Sequence, residues 1–118
     1  MRDTIKKHQD FITTDDMPSA RSAYCGIRVK PAKFSDDPRV GFVATKRTFR
    51  FAVDRNRAKR LLRDWVRFNE ELMLPEYDYI FIAYAAILNA TRDQGRAGMA
   101  KALRHIAREH NKNDKQDS

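Results

Sequence analysis

The chain of 118 residues has one cysteine, Cys25, and no spacing of Cys and His that is typical of a metal site. A lone cysteine excludes an internal disulfide, and together with the missing metal pattern it indicates a reducing compartment, the cytoplasm. No apolar run is long enough to span a bilayer, and residues 1–11 lack the apolar region of a signal peptide. We therefore expect a soluble single domain over residues 1–118, with a frayed tail from about residue 110.

Residues suited to protein-based catalysis are also scarce. The histidines all lie in the terminal segments: His8, His105 and His110. We expect each of them to be a surface residue rather than a base. The adjacent acids fall in loops, where turns and caps explain them better than metal ligation: Asp15, Asp16, Asp36 and Asp37. The sequence therefore predicts no catalytic residue and no metal ligand on this protein.

Acids are nearly missing from one segment, and this gap concentrates the net charge of +8. Residues 46–67 hold nine Lys and Arg against two acids, a local charge of +7, whereas the other residues, with fifteen basic and fourteen acidic side chains, contribute +1. Such concentration indicates a phosphate-bearing ligand at this segment. The alternative is a solvated helix face, but solvated faces usually mix signs in i, i+4 pairs, and the only acid near the cluster within the predicted helix is Asp64.

Hydrophobic periodicity predicts a chain of mixed helices and strands. The predicted elements are a short helix over 1–16, strands over 24–30 and 39–46, a helix over 54–73, a strand over 77–86 and, after a loop, a helix over 96–109. Alternation in the first strand places Cys25, Ile27 and Val29 on one face, and Tyr24, Gly26, Arg28 and Lys30 on the other. The strand over 77–86 is apolar on both faces, as expected for the middle of a covered sheet.

The helix over 54–73, with Asp54 as its predicted N-cap, is strongly amphipathic. Its apolar arc contains Ala58, Leu61, Leu62, Trp65, Val66, Phe68, Leu72 and Met73. Its polar arc contains Asn56, Arg57, Lys59, Arg60, Arg63 and Arg67. Burial of the first arc forces the second into one basic stripe, rich in the arginines that suit bidentate recognition of phosphate. Arg55 lies on the apolar side near the helix start, where it can reach back to a ligand or to the sheet edge.

Three stretches carry a family resemblance: "RVGFVATKR" at 39–47, "RNRAKRLLRDWVR" at 55–67 and "YDYIFIAY" at 77–84. Their order and spacing resemble the protein component of bacterial ribonuclease P, whose signature is "RNRxKR", here Arg55 to Arg60. The resemblance covers roughly residues 39–108 and is weak before them. Lys46 and Arg47 occupy the position of the family's Lys-Lys pair, and "TFRFAVD" replaces the segment in which many members carry a glycine.

The resemblance implies an α+β fold, a two-layer α/β sandwich of order αβββαβα. It further implies a four-stranded sheet with a left-handed βαβ crossover around the basic helix, where general chain chirality would have predicted a right-handed one. The third strand is not distinct in the sequence. Either one long strand runs over 39–52 with a bulge, or the loop over 31–38 joins two pieces of a hairpin.

The resemblance also implies a division of labour in which a large RNA subunit is the catalyst. That RNA removes the 5′ leader of precursor tRNA with Mg²⁺ held mainly by RNA and substrate, while the protein docks on the RNA and holds the leader. No organic cofactor and no obligate protein partner are expected. The residues carried over for RNA-subunit binding are Arg55, Asn56, Arg57, Lys59, Arg60, Arg63 and Arg67. Those for the leader are Phe11, Tyr24, Arg28, Lys46, Arg47 and Arg50, although Phe11 and Tyr24 are equally compatible with the core.

Rival interpretations belong to other functional classes. A ribosomal or general RNA-binding protein shares the basic stripe but does not require this motif between these strands. A DNA-binding regulator places a recognition helix in the major groove, yet strands flank the basic helix here and the second helix of a helix-turn-helix is missing. A protein-only nuclease requires clustered carboxylates, which the sequence lacks.

Overall fold

The computed structural model of the protein describes residues 3–5, 11, 17–34 and 38–116, with side chains as far as Lys112. The strands are β1 (Asp3–Thr4), β2 (Ser19–Arg21), β3 (Cys25–Pro31), β4 (Arg39–Val43) and β5 (Tyr77–Ala83). The helices are α1 (Ala52–Phe68) and α2 (Arg92–Gln116), and short 3-10 turns cover Glu70–Leu72 and Ala85–Asn89. Most of the helix predicted over 1–16 lies outside the described residues, and its described part at Asp3–Thr4 is a strand.

One mixed sheet has the strand order β1-β4-β5-β3-β2. Strands β4 and β5 are parallel neighbours connected through α1, while β3 is antiparallel to both β5 and β2. The four longer strands and the two helices confirm the predicted α+β fold, and β1 adds two residues that pair with β4. From Ser19 onward the element order is βββαβα, as the family resemblance implied.

The strand that the sequence left undetermined is β2, which precedes β3 in the chain. Both predicted positions for it were therefore wrong: it is neither part of a long strand over 39–52 nor half of a hairpin around the loop over 31–38. Strand β4 ends at Val43, and residues 46–48 form a turn. That turn is stabilised because the Thr45 hydroxyl accepts a hydrogen bond from the Thr48 N–H at 3.2 Å, while the Phe49 N–H donates to the Thr45 carbonyl at 2.9 Å. A hydroxyl that binds backbone in this way ends a strand rather than extending it.

Both ends of α1 differ from the sequence prediction. The helix begins at Ala52 and not after Asp54, because the Phe51 carbonyl already accepts hydrogen bonds from the N–H groups of Asp54 and Arg55. It ends at Phe68 rather than Met73, since Asn69 leaves the helical conformation. The buried Asn69 amide donates to the Trp65 carbonyl and to the Arg96 carbonyl, both at 3.0 Å, and so joins the end of α1 to α2.

Helix α2 begins four residues before its predicted start and continues to Gln116 rather than ending at 109. Its start is a capping box, in which the Thr91 hydroxyl accepts from the Gln94 N–H at 3.1 Å and the Gln94 side chain accepts from the Thr91 N–H at 3.2 Å. Strand β5 also ends earlier than predicted, at Ala83, because the 3-10 turn over Ala85–Asn89 follows it.

The core lies between the helices and one face of the sheet. Trp65 of α1 is 1% exposed and Phe81 of β5 is fully buried. Helix α2 approaches the indole at Gly95, where an added Cβ would overlap the Trp65 ring. The buried Asp78 carboxylate accepts a hydrogen bond from the Arg39 N–H at 2.7 Å at one end of the sheet. This packing fixes which face of α1 points outward.

Candidate nucleic-acid interface

The outward face of α1 is a basic stripe, defined here as Asn56, Arg57, Lys59, Arg60, Arg63 and Arg67. All are exposed except Lys59, which is half-buried, while Ala58, Leu62, Trp65 and Val66 are buried on the opposite face. The predicted helix wheel is therefore confirmed in its essentials. Phe68 is the exception, because it is 58% exposed and stacks under the Arg96 guanidinium at 4.2 Å.

The stripe keeps its positive charge because Asp64, the acid beside it in α1, is neutralised by Arg96 of α2. Asp64 turns toward α2, where it accepts hydrogen bonds from Arg96 at 3.0 and 3.2 Å. That hydrogen bond lowers the pKa of the Asp64 carboxyl below its ordinary value. Within the part of the chain that the structure describes, no acid pairs with Arg57, Arg60 or Arg63. These guanidinium groups are available to an anionic ligand.

Arg55 belongs to the signature but not to the stripe. Its guanidinium donates to the Phe49 carbonyl at 2.9 Å and to the Arg50 carbonyl at 3.3 Å. Arg55 therefore reaches back as predicted, but to the loop between β4 and α1 and not to the sheet edge. The contact of Arg55 with RNA stays a prediction.

The loop before α1 adds further cations beside the stripe. Lys46, Arg47 and Arg50 are exposed there, and Arg50 lies 5.7 Å from the ring centroid of Phe51. Phe51 is 61% exposed because it caps α1 instead of joining its apolar arc. The sequence reasoning missed this exposed aromatic side chain, which lies beside the cation Arg50 as a base-stacking residue would.

A second concave surface, the sheet cleft, lies on the sheet face opposite the helices. It is a cavity of about 460 Å³ lined by Ser19, Ala20, Arg21, Gly26, Ile27, Arg28, Ile82 and Tyr84. The Tyr84 hydroxyl lies above Gly26, where an added Cβ would come within 2.8 Å of it. Farther along the same face the Phe11 ring covers Gly41 so closely that a Cβ there would overlap it.

The predicted leader residues do not all meet in this cleft. Phe11 and Arg28 share the open sheet face, whereas Lys46, Arg47 and Arg50 lie in the loop after β4. The placement of Tyr24 on that face was wrong, because β3 begins only at Cys25. The Tyr24 ring instead lies 5.8 Å from Trp65, and its hydroxyl donates to Gln94 at 3.2 Å.

Tyr84 and Arg21 are the cleft residues that the sequence reasoning missed. A signal for Tyr84 existed, since continued alternation along β5 puts it on the same face as Ile80 and Ile82. No comparable signal existed for Arg21, because a strand of three residues is too short to show a period.

The described residues show no second kind of site. Within residues 3–5, 11, 17–34 and 38–116, no helix is long and apolar enough to cross a membrane, and no three His, Cys, Asp or Glu side chains gather as around a metal ion. The acid pairs at 15–16 and 36–37, like His8, lie outside the described residues. His105 is exposed as predicted, but His110 is half-buried, 2.8 Å from the Tyr77 hydroxyl.

Comparison with known proteins decides the family. The family model described as Ribonuclease P matches residues 2–107. The chain belongs to the ribonuclease P protein family. It is 40% identical over 82 residues to the ribonuclease P protein component of Caulobacter vibrioides, an alignment covering 67% of this chain and 54% of that one. The Brucella suis component is 32% identical over 99 residues, with coverage of 76% and 70%. The chain thus spans about half the length of the first of these ribonuclease P relatives.

Solved ribonuclease P proteins share the fold. The Thermotoga maritima protein superposes with a TM-score of 0.72 at 20% identity, over 89% of this chain and 98% of that chain. A Staphylococcus aureus ribonuclease P protein, a mutant with defective mRNA degradation activity, superposes with a TM-score of 0.71 at 27% identity, over 89% and 87%. The sheet and the two helices described above are therefore those of ribonuclease P proteins.

Proposed function

We propose that this protein is the RNA-binding subunit of a cytoplasmic ribonuclease P, and that it docks on the large RNA subunit through the basic stripe of α1. The observation that carries the proposal is a row of basic side chains on a helix whose other face is locked into the core, and among the described residues Arg57, Arg60 and Arg63 of this row pair with no acid. From Arg57 to Arg67 the stripe runs about 15 Å along the helix axis. Guanidinium groups bind phosphate oxygens in pairs, so a rigid row of them holds an RNA backbone in one register.

The chemistry in this proposal belongs to the RNA. Mg²⁺ held mainly by the RNA subunit and the substrate supplies the activation for endonucleolytic removal of the 5′ leader. The protein contributes positive charge, which lowers the electrostatic repulsion between the RNA subunit and the precursor tRNA. The two RNAs therefore need a lower concentration of cations to associate. No organic cofactor, no further protein partner and no catalytic side chain on this chain enter the proposal.

The sheet cleft is the proposed site for the single-stranded leader. Tyr84 offers an aromatic ring at the cleft wall, and Arg21 and Arg28 place two exposed guanidinium groups beside it. Single-stranded RNA is held by this combination, because bases stack on aromatic rings while cations follow the phosphates. Phe11, which covers Gly41 on the same face, extends the surface toward β4.

Substitution of Tyr84 tests the leader site. With Tyr84→Ala, we expect the complex of protein and RNA subunit to bind precursor tRNA about 5- to 150-fold more weakly, since one stacked base contributes about 1–3 kcal/mol. Tyr84→Phe keeps the ring and should bind like the wild type. Equilibrium binding of labelled precursor tRNA measures both.

Two controls make the test specific. Mature tRNA, which has no leader, should bind equally well to wild-type and Tyr84→Ala complexes. Phe34→Ala removes an aromatic side chain that is 50% exposed outside the cleft, and it should leave precursor binding unchanged. An equal loss for precursor and mature tRNA would contradict leader binding at Tyr84.

A further inference from the structure

A larger basic groove lies between β2 and α2, away from the basic stripe. This α2 groove has a volume of about 580 Å³ and is lined by Ala20, Arg21, Ser22, Ala23, Gly98, Lys101, Ala102, His105 and Arg108. It forms because α2 and β2 approach closely at Gly98, where an added Cβ would lie 3.3 Å from the Ser22 Cβ. Small residues such as Gly98 and Ser22 line the bottom of the groove, and the long cationic side chains line its sides.

The described residues do not pair the cations of the α2 groove with acids. Arg21, Lys101 and Arg108 are exposed, and among the described residues no acid pairs with any of them. Glu109, the residue after Arg108, pairs instead with Lys112 at 3.6 Å. An anionic partner therefore complements this groove.

The α2 groove and the sheet cleft share Ala20 and Arg21 of the edge strand β2, and the rest of their lining distinguishes them. The sheet cleft has Tyr84 at its wall, whereas no aromatic ring of Phe, Tyr or Trp lines the α2 groove. Its one aromatic side chain is the imidazole of His105, and without a Phe, Tyr or Trp ring the groove suits the phosphates of paired RNA, whose bases are not available to side chains. Lys101 and Arg108 are two helical turns apart, about 10.5 Å along the axis, so they reach different phosphates of one backbone.

The position of the groove extends the RNA surface beyond α1. Arg92, at the start of α2, lines one cavity of about 420 Å³ with Arg57 and Arg60 of the basic stripe. From Arg92, the α2 groove begins about 9 Å along the helix at Gly98 and reaches Arg108 at about 24 Å. Helix α2 therefore leads from the stripe to a separate cationic surface.

We propose that the α2 groove binds the phosphate backbone of a double-helical segment of the same RNA subunit that docks on α1. This inference rests on the proposed function, to which it adds a second RNA contact. It assigns Lys101 and Arg108 to phosphates, without base recognition.

Salt-dependent binding of the RNA subunit tests the proposal. The variant Lys101→Gln/Arg108→Gln should bind about 10-fold or more weakly at a fixed salt concentration, and the slope of log K against log salt should fall by about 1 to 2. The control variant Arg104→Gln, compared with the single variant Arg108→Gln, removes the same charge from an exposed position of α2 outside the groove. It should keep the wild-type slope, with affinity within about threefold.

A tethered iron chelate locates the contact on the RNA. Cys25 is fully buried and burial raises the pKa of its thiol to about 11, so a cysteine introduced by Ala23→Cys at the groove is the one that reacts at neutral pH. Hydroxyl radicals from the chelate should cleave the RNA subunit within a paired segment. Cleavage confined to unpaired RNA, or no cleavage, would overturn the proposal.

The outcomes separate this inference from the proposed function. If the groove variants and the control bind RNA with the same affinity and slope while Arg57→Gln/Arg60→Gln loses binding, the α2 groove is not an RNA site and the docking function stands. If the wild-type protein fails to bind the RNA subunit, both proposals are wrong.

Discussion

Replacing Arg57 and Arg60 together by glutamine should weaken binding of ribonuclease P RNA about 10²- to 10⁴-fold. Both guanidinium groups are exposed and, among the described residues, pair with no acid, so the substitution removes ligand contacts rather than internal ones. Hydrogen bonds to charged groups contribute about 1.5–3 kcal/mol each, and two such losses account for the expected factor. Filter binding at several salt concentrations measures the change, and the salt dependence should become less steep.

The matched control for this variant is Arg104→Gln/Lys112→Gln, which removes two exposed cations from α2. Its affinity should remain within about threefold of the wild type. Thermal unfolding of both variants should resemble the wild type, because surface substitutions usually change stability by less than about 0.5 kcal/mol. Equal losses in the two variants would mean that net charge, and not the stripe, binds the RNA.

Gly95→Ala should destabilise the fold by about 2 kcal/mol or more. A Cβ at this position would overlap the six-membered ring of Trp65, which is 1% exposed and has no room to move. Overpacking of a core costs about 1–3 kcal/mol and occasionally more, and an overlap with three ring atoms lies at or above the upper end of that range. Subtracting the gain of about 1 kcal/mol that alanine brings to a helix therefore leaves a loss of about 2 kcal/mol or more. Urea unfolding measures the difference in the free energy of unfolding.

Gly98→Ala, one turn later in the same helix, is the internal control. There the added Cβ meets the Ser22 Cβ at 3.3 Å, a contact that a small shift relieves. Its stability should lie within about 1 kcal/mol of the wild type. The double variant Gly95→Ala/Trp65→Leu should lose less stability than the two single variants lose in sum, because the smaller side chain vacates the space that the Cβ needs. Equal effects at the two glycines would show that the indole does not set the approach of α2.

The parts of the site that follow from a single helix could be predicted from sequence. Apolar residues of α1 recur every three or four positions with basic residues between them, and this helical period determines which face is buried. Ala58, Leu62 and Trp65 are buried as the helix wheel requires. The strands β3, β4 and β5 were located from alternation or apolar runs within a few residues. The first errors are at element ends, where side chains such as Thr45, Asn69 and Thr91 bind backbone groups and decide the boundary.

The parts that depend on several elements could not be predicted. By sequence, the charge outside residues 46–67 is nearly balanced, yet folding places Arg21 of β2 beside Lys101 and Arg108 of α2. Sequence separation hides this cluster, because only the pairing of β2 with β3 and the packing of α2 on β2 bring its members together. The position of Tyr84 over Gly26 depends in the same way on the register of β3 with β5.

Cleavage of precursor tRNA at low Mg²⁺ by a bacterial ribonuclease P RNA tests the proposed function most directly. Four reactions are compared: RNA alone, RNA with wild-type protein, RNA with Arg57→Gln/Arg60→Gln, and protein alone. We expect leader removal only with the wild-type protein and the RNA together, with little or none in the other three. Equal cleavage with and without the protein, or cleavage by the protein alone, would contradict its role as the RNA-binding subunit of an RNA catalyst.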